Sequence, residues 1–142
     1  MPTPVIRFRI DFTKSAFVGP GKIDLLVAIQ KSGSLSKAAR DLGMSYRRAW
    51  LLVDSLKSSF REPVTVASKG GKGGGGVALT KFGERLIVSY RAIESDIARV
   101  AARRLQSIIP AVTERRRSKA AASRRKLVRK RVGKSASSGN QR

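Results

Sequence analysis

The 142-residue sequence has no cysteine and no histidine. Their absence excludes thiol catalysis, an imidazole general base and any Cys/His metal cluster, so no metal site and no cofactor is expected. Without disulfides, nothing points to an oxidising compartment. Acidic residues are scarce: 9 Asp+Glu stand against 31 Lys+Arg, a formal net charge of +22. Asp24, Asp41, Asp54, Glu62, Glu84, Glu94 and Asp96 are scattered singly, mostly beside bases, and no pair suggests acid–base chemistry. An enzyme is not expected. No apolar run approaches the roughly 20 residues of a membrane span. The opening MPTPVIRFRI alternates apolar and charged residues and has no signal-peptide core. The expectation is a cytoplasmic protein, at the nucleoid, with no membrane partner.

A positive field of this size favours a polyanion as partner. The charge is concentrated at one end: 12 Lys+Arg and one acid, Glu114, lie between Pro110 and Arg142. That stretch has no aromatic residue and few large apolar ones, too little to offset the entropy of ordering it. Residues 109–142 therefore read as a disordered basic tail. Clusters such as Arg115–Arg117 and Arg124–Lys126 suit non-specific phosphate binding, with a plain solubility tail as the alternative.

Ahead of the tail the pattern is mainly helical. Ile6, Phe8, Ile10 and Phe12 alternate with Arg7, Arg9 and Asp11, which predicts a half-buried strand over 5–12. A turn at Val18–Gly21 opens a first helix at Gly21 or Lys22, with Ile23, Leu26, Val27 and Ile29 on its apolar face. Ser32-Gly33 ends it. Ser34 caps a short second helix whose inner face is Leu35, Ala38, Ala39 and Leu42. Ser45 caps a third, running to about Phe60 over Ala49, Val53 and Leu56. After Pro63, Val64–Ala67 and Val77–Leu79 read as two strands joined by the tip KGGKGGGG. Thr80 then caps a long helix from Lys81 to about Ile108.

Ala39, Gly43 and Ala49 have helix-turn-helix spacing: the small alanines let two helices approach, and the glycine takes the backbone through the turn. An ordinary helical hairpin is the plain alternative, but the hairpin that follows turns the unit into a winged helix. Ser45, Tyr46, Arg47, Arg48 and Trp50 then stand at the start of the third helix as candidate DNA contacts. Ser34 and Ser36, at the start of the second helix, join them. Arg can take guanine edges or phosphates; an aromatic ring can pack on a sugar or a thymine methyl. Trp50, one residue past Ala49, falls off the inner face, although a lone Trp also serves cores. In the glycine-rich tip, Lys72 is followed by Gly73 and not by Ser or Thr, which rejects a nucleotide phosphate loop. Lys69 and Lys72 are instead candidate wing contacts to DNA phosphates. On the long helix, Leu86, Tyr90, Ile93, Ile97 and Val100 are spaced 4, 3, 4 and 3, a short a/d seam for dimerisation. Phe82 and Leu86 are expected on the domain's own core, and Tyr90 to Val100 against a partner helix.

The run GKIDLLVAIQKSGSLSKAARDLGMSYRRAWLLVDSLKSSF followed by GGKGGGGVALTKFGERLI resembles the N-terminal DNA-binding domain of ModE-type molybdate-dependent transcriptional regulators, from about Gly19 to Glu94. It is more distantly similar to the LysR-type winged helix. The resemblance implies a winged helix-turn-helix that dimerises through its long helix and binds palindromic promoter DNA. It also implies that Ser45, Tyr46, Arg47 and Trp50 lie on the recognition-helix surface, and Lys69 and Lys72 on the wing. Nothing after Leu105 offers the strands of a molybdate-binding β-barrel, so molybdate binding is doubtful.

The expectation is thus a mainly α chain with a small β wing, divided into a winged helix-turn-helix domain (3–80), a long dimerisation helix (81–108) and a tail (109–142). Its expected function is that of a sequence-specific transcriptional regulator, a homodimer on double-stranded DNA. A nucleoid-type architectural protein with little sequence preference is the alternative, and an RNA- or ribosome-associated basic protein a third.

Overall fold

The computed structural model describes residues 2–69 and 75–113. Residues Thr3–Leu105 form one compact unit, which takes in the long helix. Two very short strands, β1 (Ile10–Asp11) and β2 (Phe17–Val18), pair antiparallel at its start. Three helices follow: α1 (Pro20–Ser32), α2 (Leu35–Asp41) and α3 (Tyr46–Ser59). The hairpin of β3 (Thr65–Ser68) and β4 (Gly76–Leu79) leads into the long α4 (Lys81–Arg104). The architecture is a mainly helical winged helix-turn-helix with small β-hairpins and a long C-terminal helix.

The caps follow from local chemistry. Pro20 starts α1, where its missing N–H costs nothing. Gly33 closes that helix in the left-handed region, φ 67°, with its N–H on the Ile29 carbonyl. The hydroxyls of Ser34, Ser45 and Thr80 accept from the N–H groups of Lys37, Arg48 and Gly83, each satisfying an otherwise orphaned first-turn donor.

Two apolar clusters hold the unit. Leu25, Ala28, Ile29, Ala38, Ala39 and Ala49 pack α1, α2 and α3 together. Val18, Ile23, Leu26, Leu56, Val64 and Tyr90 join α1 and α3 to α4 and the base of the hairpin. α1 contributes to both, which is why its buried residues extend beyond a single stripe to Leu25 and Ala28. The hairpin is tied to the helices by the Val77 N–H, which donates to the Gly33 carbonyl at 3.0 Å.

Four sequence expectations change. Leu42, expected on the inner face of the second helix, is instead its C-cap and is exposed, because α2 ends at Asp41. The strand over 5–12 shrinks to Ile10–Asp11, because only those residues find a ladder partner in β2. Its alternation is nonetheless used: Ile6, Phe8 and Ile10 turn inward, whereas Phe12 is exposed with its ring edge-on to Phe60. The long helix ends at Arg104 and not near Ile108, with the Leu105 N–H on the Ala101 carbonyl. Tyr90 is not beyond the reach of the domain. It is 2% exposed, stacks on Phe8 with ring centroids 4.5 Å apart, and donates its hydroxyl to the Phe8 carbonyl at 2.7 Å. Burial, reinforced by Glu94, pushes the phenol upward, which keeps it protonated as a donor.

Beyond this unit, the described residues include a short 3₁₀ turn, Ile109–Ala111. The remainder of the expected tail lies outside the described residues. Among the described residues, no helix is long and apolar enough to cross a membrane.

Candidate nucleic-acid interface

α3 is presented by a close-packed turn. Ala39 and Ala49 are almost fully buried against each other's helices, where larger side chains would hold the backbones apart. Gly43 has φ 66°, a conformation that strains any residue with a Cβ. The Met44 N–H donates to the Ala39 carbonyl at 3.0 Å and the Gly43 N–H to Arg40, so the turn leaves little backbone unpaired. With Ala49 and Leu56 inward, the opposite face of α3 is outward.

That outward face carries Tyr46, Arg47, Arg48 and Trp50, all exposed. Among the described residues, neither arginine enters an ion pair, so both guanidinium groups keep their donors for an external acceptor. Ser45 is the exposed N-cap, and its hydroxyl is engaged by Arg48 N–H at 3.1 Å. Ser34 is half-buried as the α2 cap, and Ser36 is exposed on the first turn of α2. Trp50 is 50% exposed and is therefore not a core residue. It stands at the side of α3 that faces the hairpin, on a groove that also includes Lys57, Thr65 and Val66. Lys69 is exposed just past the end of β3; Lys72 lies outside the described residues.

Sequence reasoning missed Lys57 and Val66 as members of this surface. The signal for Lys57 was present: it lies seven residues after Trp50, two helical turns along the same face. Val66 required knowledge of how the hairpin sits beside α3.

Lys22 was also missed. It is 2% exposed, yet it carries an ammonium that donates to the Phe17 carbonyl at 2.9 Å and to Ser55 Oγ at 2.8 Å. The same group sits 3.4 Å from the centroid of the Phe17 ring. These contacts tie α1 and β2 to the inner side of α3. Burial, and then the nearby Arg9, lowers the lysine's proton affinity.

The proposed seam on α4 divides. Leu86 packs against the core beside buried Tyr90. Farther along, Ile93 is 40% and Val100 47% exposed, with Ile97 half-buried between them. Among the described residues, no group of acids is placed to hold a metal ion.

Comparison with known proteins matches residues 21–84 to the family described as bacterial regulatory helix-turn-helix protein, lysR family. The chain is 45% identical over 85 residues to the molybdenum-pterin-binding protein MopB of Rhodobacter capsulatus, covering 60% of this chain and 32% of MopB. It is 38% identical over 85 residues to the DNA-binding transcriptional dual regulator ModE of Escherichia coli K12, covering 60% and 32%. The molybdenum transport protein ModE of Azotobacter vinelandii is 36% identical over 88 residues, 62% of this chain and 33% of that one. The chain thus spans about a third of the length of these curated relatives. A crystal structure of a LysR family transcriptional regulator aligns with a TM-score of 0.44 at 12% identity, over 60% of this chain and 27% of that one. Residues 21–84 thus match the LysR-type regulatory helix-turn-helix family, and about 60% of the chain is similar to part of MopB and ModE.

Proposed function

We propose that the protein is a sequence-specific transcriptional regulator that acts in the cytoplasm as a homodimer on double-stranded DNA. The observation that carries this reading is the outward face of α3. Two arginines that form no ion pair among the described residues, and two exposed aromatic rings, stand on the first two turns of the second helix of a helix-turn-helix. A helix with that face fits the major groove, where arginine reads guanine edges and apolar groups meet thymine methyls. The Ile93, Ile97 and Val100 stripe supplies an apolar face for a second copy, which sets two recognition helices on one duplex. Molybdate is not proposed as a ligand: molybdenum belongs to the names of relatives of which this chain spans about a third.

The net charge of +22 favours a second reading, an architectural protein that holds DNA without much sequence preference. Selection of a best duplex from a random library, followed by salt titrations on that duplex and on random sequence, separates the two. A regulator holds an affinity ratio of about 10³ or more. Near-equal affinities refute sequence-specific regulation and leave the architectural role. Competition with duplex RNA tests the nucleic acid itself, because the A-form major groove is too narrow for a helix.

A further inference from the structure

Among the described residues, Lys22 is the single charged or polar residue that is buried. It belongs to the first turn of α1, but its ammonium is spent on two other elements. It donates to the Phe17 carbonyl of β2 at 2.9 Å and to Ser55 Oγ of α3 at 2.8 Å, and it lies 3.4 Å from the centroid of the Phe17 ring. The Arg9 guanidinium lies 3.6 Å from the same centroid. Two groups stacked that closely over one ring cannot share a face, so the ring is held between two cations. Arg9 is itself anchored by Asp11 at 2.7 Å. A line of contacts thus runs from β1 through Phe17 and Lys22 into α3. Phe8, the neighbour of Arg9, stacks on Tyr90 of α4. The N-terminal segment therefore touches α4 directly and reaches α3 through Lys22.

We propose that Lys22 is a positioning residue for DNA recognition: through Ser55 its ammonium fixes the rotation of α3 about its own axis, and with it the aim of Arg47 and Arg48. The inward anchors of α3, Ala49 and Leu56, are apolar. Apolar contact is non-directional, and a methyl side chain leaves a helix room to roll. A hydrogen bond to a fixed ammonium has a direction. Ser55 lies seven residues after Arg48, two turns along the same strip of the helix, so a roll at one is a roll at the other. Cohesion alone does not call for a charge here. Burying an ammonium costs free energy that an apolar side chain of similar length would not. What the charge adds is a single geometry at Phe17 and Ser55. The inference rests on the DNA-binding reading and adds to it a residue too buried to touch DNA.

The experiment uses the full chain, the best duplex selected from a random library, and a random-sequence duplex of the same length. Binding is followed by anisotropy across a salt series, well below the melting temperature of every variant. Lys22→Met keeps the apolar stem and removes the ammonium. It is expected to lower the ratio of selected to random affinity about tenfold, the effect of one lost charge-assisted bond on the aim of the helix. Random-sequence affinity and the slope of log K against log salt are expected to stay as in the unaltered chain, because a buried ammonium neutralises no phosphate. Ser55→Ala is expected to lower the ratio in the same way, and the double variant no further, since both residues act through one bond. Ser55→Thr keeps the hydroxyl and is expected to keep the ratio. Circular dichroism gives the Tm of each variant alongside. A Lys22→Met protein with a lowered Tm and an unaltered ratio overturns the proposal: Lys22 then holds the fold and not the aim. Equal losses on both duplexes overturn it as well. If Lys22→Met does not fold, the Ser55 variants decide, and an unaltered ratio in Ser55→Ala rejects the proposal. In all these cases the DNA-binding reading stands. If the unaltered chain itself prefers no duplex over random sequence, the sequence-specific reading fails and this inference falls with it.

Discussion

Gly83→Ala tests how the hairpin is joined to the long helix. A Cβ built on Gly83 would lie 2.4 Å from the Val64 carbonyl oxygen and 3.2 Å from Val64 Cγ1. The obstacle is backbone, which a rotamer change cannot clear. That carbonyl is also engaged: it accepts from the Thr80 N–H at 3.0 Å and from the Thr80 hydroxyl at 3.1 Å. Thr80 in turn caps α4 through the Gly83 N–H at 3.0 Å. Three terms set the balance. Overpacking costs about 1–3 kcal/mol. Loosening the bonds to the Val64 carbonyl costs about 0.5–1.5 kcal/mol. Replacing a helical glycine by alanine returns up to about 1 kcal/mol. The net is a loss of about 2 kcal/mol, which at 4–8 °C per kcal/mol lowers Tm by roughly 8–16 °C. Thermal unfolding followed by circular dichroism, at fixed protein concentration, measures it. Gly21→Ala is the internal contrast. Gly21 is in the first turn of α1 with nothing within 4 Å of its would-be Cβ, so alanine there is expected to stabilise by about 0.4–1 kcal/mol. A Gly83→Ala protein with unchanged or raised Tm would refute the close approach of α4 to Val64.

Arg47→Ala is expected to cost about 1–3 kcal/mol on the best selected duplex and little on random sequence; equal losses on both would make Arg47 a phosphate contact. Replacing Ile93 and Ile97 by Asp puts charge on the exposed stripe of α4 and should give monomers with weakened specific binding. An unchanged dimer in sedimentation, with normal circular dichroism, rejects the stripe as the interface. Truncation after Pro110 removes 12 bases and should flatten the salt slope by about 3–6 while sparing the ratio of selected to random affinity. A collapse of that ratio would mean that the tail reads sequence or groove shape. Lys22, its proton affinity lowered by burial and then by Arg9, loses its proton in the native state before the unfolded chain does. Stability therefore gains with rising pH just below the ordinary lysine range, and Lys22→Met should remove that gain. An identical pH–stability profile in the variant would show that Lys22 titrates alike in both states.

The readable parts of this molecule are those set by neighbours in sequence. The α2–α3 unit follows from two short-range facts, the i, i+3, i+4 pattern of Leu35, Ala38 and Ala39 and a glycine where φ must be positive. The caps at Ser34, Ser45 and Thr80 are local for the same reason. The hairpin was readable from Pro63 and the glycine-rich tip, because both interrupt helix. What escaped depends on residues far apart in the chain. Tyr90 fits the a/d spacing of an intermolecular seam, and spacing alone cannot say which helix or segment fills the opposite side. Phe8, 82 residues earlier, takes that place and also supplies the carbonyl for the hydroxyl. Lys22 reads as an ordinary first-turn surface lysine until Phe17 and Ser55 are seen around its ammonium. The consequence for function is specific. Because Tyr90 is spent on the N-terminal segment, any partner helix is left with Ile93, Ile97 and Val100, a stripe of about two turns. That is short for a coiled coil, and isolated two-turn seams are weak. The dimer proposed here therefore draws much of its stability from simultaneous engagement of two half-sites, and its assembly should be more complete on DNA than free in solution.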